Sequence, residues 1–169
     1  EPARVLDELN CGRIVIVAGF QGITDYMDVT TLGRGASDLT AVALAAGLDA
    51  EVCKVYTDVE GIYTADPKLV PKARKLQWVG FEEMLEMASH GAKMEPRSIE
   101  MAMEFNVPIM VASSFFDKPG TLIRKEAHQM NSDVGEIRNR VRSVATDSNV
   151  SKITVRGVMD RPGIAAAVF

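Results

Sequence analysis

Thr30-Thr31-Leu32-Gly33-Arg34-Gly35-Ala36-Ser37-Asp38 runs directly into Leu39-Thr40-Ala41-Val42-Ala43-Leu44-Ala45-Ala46-Gly47. The second block is rich in Ala and Leu and predicts a helix over 37–46. Ser37 and Asp38 are residue types that begin helices. The first turn of a helix presents free backbone N–H groups and the positive end of its dipole. Gly33 and Gly35 let the backbone come close to a ligand, and Arg34 supplies a planar, permanent charge that fits a carboxylate or phosphate. The stretch therefore reads as a loop-to-helix grip on a small anion.

Apolar runs on either side set the fold class. Arg13 to Gly19 (R-I-V-I-V-A-G) is continuous rather than alternating, as expected of a strand covered on both faces in a parallel sheet. Phe20 to Thr31 shows turn residues without a clear period and is expected to be a loop. Glu51 to Tyr56 and Val107 to Ser113 are predicted strands, and Thr121-Leu122-Ile123 a short fourth. Helices are predicted near Val5 to Leu9, over Gly80 to Ser89 and over Arg97 to Phe105. Gly61, Asp66-Pro67 and Val70-Pro71 mark Val59 to Ala73 as a structured loop, with room for a small hairpin. Alternating strands and helices imply a layered α/β/α domain with a mainly parallel sheet. In such sheets ligands bind beyond the carboxyl ends of strands. Gly19-Phe20-Gln21-Gly22, Thr57-Asp58 and Ser113-Ser114 fall there.

The chain has 169 residues, 47% of them hydrophobic and 25% charged, enough for a real core. A net charge of −4 gives no general attraction for nucleic acid. Arg138, Arg140 and Arg142 read as a solvated linker face. No apolar run approaches the length of a membrane span. Cys11 and Cys53 lie in or beside apolar runs and are expected to be small core residues of a reducing compartment. His90, just before Gly91, reads as a helix C-terminal residue favoured by the dipole. From Arg124 to Arg142 the pattern turns polar and reads as a connection. Ser151 to Val158 then alternates like a half-exposed strand, and Asp160-Arg161-Pro162-Gly163 leads into a helical run with Asp160 as its cap. The chain opens without Met and stops inside that run, so it is expected to be a piece of a longer one.

Four segments in order resemble the aspartate kinases of the amino-acid kinase family: V-A-G-F-Q-G at 17–22, T-T-L-G-R-G-A-S-D at 30–38, Y-T-D-V-E-G-I-Y-T-A-D-P at 56–67 and G-A-K at 91–93. The turn V-M-D-R-P-G at 158–163 is similar to the first strand-to-helix turn of ACT domains, which have a ferredoxin-like fold. The resemblance implies the C-terminal part of a kinase domain over 1–125, a linker over 126–142 and the start of an ACT regulatory domain over 143–169. It further implies that the family's N-terminal Lys-Phe-Gly-Gly segment is absent and that this piece alone is inactive. Residue 36 is Ala where the family usually has Gly, and the spacing between G-A-K and Arg97-Ser98 is one residue short.

The implied reaction transfers the ATP γ-phosphoryl group to the side-chain carboxylate of L-aspartate, giving 4-phospho-L-aspartate. The nucleophile belongs to the substrate, so the chemistry asks for alignment and charge neutralisation rather than a protein nucleophile. By resemblance Arg34 binds a substrate carboxylate, with Phe20 and Ser37 in the aspartate pocket. Asp38 contacts the amino group or orients the phosphate-binding lysines. Thr57, Asp58, Tyr63, Lys68 and Lys93 are the implied nucleotide residues. Asp38 and Lys93 are the implied catalytic pair. Mg²⁺ accompanies ATP through phosphates and waters, without a named protein ligand. The family also implies lysine, threonine and methionine biosynthesis in the cytoplasm, feedback by lysine and/or threonine, and homo- or hetero-oligomers formed through ACT domains. Rival readings are a glutamate, acetylglutamate or nucleotide kinase of the same family, or a non-catalytic amino-acid-sensing segment.

Overall fold

The computed structural model describes residues 2–125, 141, 143–146, 150–158, 162–164 and 166. The chain opens with helix α1 (Ala3–Asn10), which ends at Cys11 and Gly12, the latter at φ +73°. A two-stranded antiparallel hairpin follows, β1 (Gln21–Ile23) and β2 (Val29–Thr31), leading into α2 (Ala36–Gly47). Then come β3 (Cys53–Thr57), β4 (Trp78–Gly80), α3 (Phe81–Ser89), α4 (Pro96–Glu104), β5 (Ile109–Ser113) and β6 (Thr121–Arg124). The main sheet has the order β3-β5-β6-β4. β3 and β5 are parallel, as are β4 and β6, while β5 and β6 run antiparallel. The mixed α/β architecture with a mainly parallel sheet is the one read from the sequence.

One core unites the sheet with three helices. Val42 of α2, Phe81 and Met84 of α3, Ile99 and Ala102 of α4, Ile109 and Val111 of β5 and Ile123 of β6 are all buried in it. α3 and α4 turn their apolar faces to that core, while α2, apolar nearly all round, buries Val42 and Ala45 in it. α4 packs against both α2 and α3.

Two details fix the loops over the sheet. Gly120 brings β6 back beside β5 so tightly that a Cβ there would lie 2.0 Å from the Val111 carbonyl oxygen. The buried Thr121 hydroxyl then accepts a hydrogen bond from the Ile62 N–H at 2.9 Å and donates to the Leu76 carbonyl at 2.6 Å. The 62–76 loop is itself closed by an antiparallel bridge between Tyr63 and Lys75, the small hairpin for which its turn residues leave room.

Several expectations need correction. Arg13 to Gly19 forms no strand. A strand needs a hydrogen-bonded neighbour, and no described strand lies beside this run, so Ile14 and Ile16 are each 94% exposed. The expected loop at 20–31 contains the β1–β2 hairpin, whose turn is held by the Thr24 N–H donating to the Asp28 carbonyl at 2.9 Å. β4 was not expected, because three residues flush against a helix carry no period of their own. Cys11 is exposed at the end of α1 rather than in the core, whereas Cys53 is buried; both are free thiols. Described residues 150–158 contain no strand, and Ile153 and Val155 are exposed there. Ile164 and Ala166 are helical after the Pro162-Gly163 turn. Asp160, Arg138, Arg140, Arg142 and nearly all of the expected linker lie outside the described residues.

Replacing Thr121 by Val keeps the shape of the side chain but leaves the Ile62 N–H buried without a partner. The expected cost is about 1–3 kcal/mol of stability, measured by urea unfolding.

Candidate functional site

The sequence-predicted residues fall into two groups. The first surrounds the start of α2. Gly33 and Gly35 both lie in the left-handed region, at φ +101° and +80°, and Gly35 is the helix N-cap. Their carbonyl oxygens accept from the Ala36 and Asp38 N–H groups, each at 3.2 Å, which coils the chain into the helix. Ala36 is the first helical residue and is fully buried. The positive φ rests on Gly35, so alanine at 36 brings no backbone strain. Arg34 is exposed between the two glycines, and none of the ion pairs among the described residues uses it.

Phe20 joins this group from the strand side. It has φ +70°, its N–H donates to the Thr40 hydroxyl at 3.2 Å, and its carbonyl accepts from Leu32 N–H at 3.0 Å. A Cβ on neighbouring Gly19 would sit 3.4 Å from Ser37. Phe20, Arg34, Ser37 and Asp38 are thus brought together. Asp38 is not the helix cap; it lies in the first turn of α2. Burial, and then the nearby Glu95 charge, raise its pKa above 3.8. Both effects oppose the pull of the helix dipole, which favours the carboxylate.

The second group lines a cavity of about 310 Å³ beyond the carboxyl end of β3. Asp58, Tyr63, Lys68 and Lys93 all border it, together with Gly61, Asp66, Gly91 and Val144 to Thr146. Lys93 Nζ bridges both Asp58 carboxylate oxygens at 2.6 and 2.9 Å. That contact, and then the Thr57 hydroxyl donating at 3.0 Å, lower the Asp58 pKa from 3.8. The short spacing after Gly91-Ala92-Lys93 therefore leaves Lys93 directed at the cavity. The next residues start α4 with Glu95 as cap and Pro96 at the first helical position. Parallel pairing of β3 with β5 sets Thr57 beside Ser113, and Ser114 N–H donates to the Thr57 carbonyl at 2.8 Å. Arg34 does not border this cavity. His90 caps α3, with Nδ1 2.9 Å from the Glu86 carbonyl oxygen.

Sequence reading missed Thr40, Glu95, Arg97 and Val144 to Thr146. Val144 N–H donates to the Thr64 carbonyl at 2.9 Å, across a sequence separation that no local pattern signals. Glu95 had a signal in retrospect: an acidic residue three positions before Ser98 and next to Pro96 marks a helix start.

The sequence profile of the Amino acid kinase family matches residues 2–113. The chain belongs to the amino acid kinase family. An aspartokinase of Mycolicibacterium smegmatis is 54% identical over 99% of this chain and 39% of its own length. Among solved structures, E. coli aspartokinase III with aspartate and ADP in its R-state aligns with TM-score 0.69 and 39% identity, over 75% of this chain and 29% of that one. The same enzyme with lysine and aspartate in its T-state aligns with TM-score 0.66 and 38% identity, over 75% and 29%. This family member therefore spans about two-fifths of the length of that curated relative. Among the described residues no helix is long and apolar enough to cross a membrane.

Two titrations check this geometry. Asp38 has its folded pKa raised, so the stability it contributes is present in full below its unfolded value near 3.8 and is lost as pH rises through the folded one. Asp38→Asn is expected to unfold at a higher temperature than the native chain at pH 7, with the gap closing toward pH 3. Carboxyl NMR of Lys93→Met is expected to show Asp58 titrating at higher pH than in the native chain, since the first cause of its lowered pKa is gone.

Proposed function

We propose that this chain is the part of an aspartate kinase that carries the nucleotide pocket and the carboxylate-gripping loop. The observation that carries the reading is the Lys93–Asp58 contact on the wall of the cavity beyond β3, with Arg97, four residues after Lys93, donating to the Leu32 carbonyl of the loop that bears Arg34. The aspartokinase relatives, one of them solved with aspartate and ADP, support the substrate assignment.

In this reading ATP enters the cavity with Tyr63 beside the base and Lys68 near the phosphates. Asp58 lines it, and Thr57, outside the lining, holds Asp58 through its hydroxyl. The Lys93–Asp58 pair is exposed, and exposed ion pairs are weak. Lys93 thus leaves Asp58 at little cost when a triphosphate presents a denser charge. L-aspartate binds at the start of α2, its carboxylate on the Arg34 fork and near Ser37, with Phe20 as a wall. Asp38 receives the substrate ammonium. One oxygen of the substrate's side-chain carboxylate attacks the γ-phosphorus. The bond from that phosphorus to the ADP oxygen breaks, and 4-phospho-L-aspartate and ADP result. Lys93 and Mg²⁺, which enters with the nucleotide as substrate, offset the charge on the transferring group.

The remaining assignments follow from the same reading. Residues 1–125 belong to the catalytic domain, 126–142 to a linker and 143–169 to the start of an ACT regulatory domain. Feedback by lysine and/or threonine acts through that region, a proposal supported by the relative solved with lysine. Oligomers form through ACT domains, and the enzyme works in the cytoplasm.

The test uses the complete polypeptide that contains this chain, with ATP and one acceptor at a time, trapping acyl phosphate with hydroxylamine for the carboxylate acceptors and following ADP and UDP formation for UMP. Product with aspartate, and none with glutamate, acetylglutamate or UMP, is expected. Arg34→Met is expected to raise the KM for aspartate about tenfold to a hundredfold, the loss of a charge-assisted hydrogen bond. Product with another acceptor in preference to aspartate would contradict the assignment.

A further inference from the structure

The start of α4 presses on the loop that holds Arg34. Arg97 Nε donates to Glu95 Oε1 at 2.8 Å, and Arg97 Nη2 donates to the Leu32 carbonyl at 3.0 Å. The other Glu95 oxygen accepts from Ser98 N–H at 2.9 Å, so the carboxylate is fixed by the helix it caps. The Glu95 side chain is only 13% exposed, while that of Arg97 is half exposed. A Cβ on Gly33 would lie 3.6 Å from Arg97 Nη2, and one on Gly35 would lie 2.9 Å from Glu95 Cγ. Both glycines flanking Arg34 therefore abut this one pair, and both have left-handed φ.

The contact of half-exposed Arg97 with mostly buried Glu95 is a local i, i+2 pair on one helix start, so its worth lies less in stability than in position. The planar guanidinium spans two acceptors at fixed angles, one on its own helix and one on the loop. The loop backbone is pinned at Leu32 before Arg34 and packed at Gly35 after it. Arg34 itself makes none of these contacts, so its side chain is left pointing from a braced backbone.

We propose that Glu95 and Arg97 are positioning residues for Arg34, bracing the Leu32–Gly35 turn so that its guanidinium meets the carboxylate substrate in one direction. This rests on the assignment of Arg34 to the aspartate carboxylate. Misplacing a binding group by about an ångström can cost up to about a hundredfold in rate. A loosened turn therefore acts on the acceptor site and leaves the nucleotide cavity, to which neither residue contributes a wall, as it was.

The experiment compares native, Arg97→Met, Arg97→Lys and Glu95→Gln forms of the complete polypeptide. It measures KM for aspartate, KM for ATP, kcat and the thermal midpoint of each. Arg97→Met is expected to raise KM for aspartate about tenfold or more, with KM for ATP within about twofold of native. Arg97→Lys, which keeps a donor for the Leu32 carbonyl but loses the fork, is expected to recover part of the loss. Glu95→Gln keeps an acceptor for the α4 cap, so it decides the matter if Arg97→Met does not fold. Native-like KM for aspartate in Arg97→Met or in Glu95→Gln would overturn the proposal. So would an equal rise in both KM values alongside a lowered midpoint, which is the mark of general loosening. A native enzyme that forms no aspartyl phosphate points instead to failure of the underlying functional assignment.

Discussion

The connection from Gly91 to Arg97 is the constraint on which the site depends. It joins α3 to α4, and it faces two ways. On one side Lys93 reaches Asp58 at the end of β3. On the other, Glu95 and Arg97 reach the glycine turn before α2. Met94, between them, is buried in the core and Ser98 is buried in the first turn of α4. The segment is therefore anchored in its middle while its charged side chains reach outward to opposite groups. Moving α4 relative to the sheet would disturb the α2 turn and the cavity beyond β3 together.

Stability and chemistry are carried by different atoms. Burial of Ile99, Ile109, Ile123, Phe81 and Met84 supplies the driving force for folding. The Lys93–Asp58 contact is solvated and weak. That division suits the proposed phosphoryl transfer, in which two anionic substrates are drawn together and a product released. The Lys93–Asp58 pair is open to solvent on both side chains. Asp38 differs: burial, and then the nearby Glu95 charge, raise its pKa, so its ionised form is disfavoured in the fold.

Local patterns in the sequence made the helices and most of the sheet legible. The Ala/Leu run after Asp38 became α2, and the β-branched runs became β3 and β5. The glycine turn could be read because φ above zero is a demand that glycine meets by itself. What failed did so for physical reasons. Arg13 to Gly19 has strand composition, but composition does not supply a hydrogen-bonding neighbour. The β1–β2 hairpin rests on backbone bonds around Met27, at φ +66°, a residue with no turn preference. Cys11 looked apolar in context yet lies at an exposed helix end. Arg34, Ser37, Asp38, Asp58 and Lys93 were flagged by short motifs, and Asp58 and Lys93 do line the cavity. Arg97 was not, because its contact with Leu32 spans 65 residues.

The most direct measurement is a crystal structure of the complete polypeptide with L-aspartate and a non-hydrolysable ATP analogue. The substrate carboxylate should rest on Arg34 near Ser37, the terminal phosphate on Lys93, and the two ligands should share one cleft across the Gly91–Arg97 connection. Aspartate and nucleotide bound on separate surfaces, or an acceptor carboxylate held away from Arg34, would contradict the account.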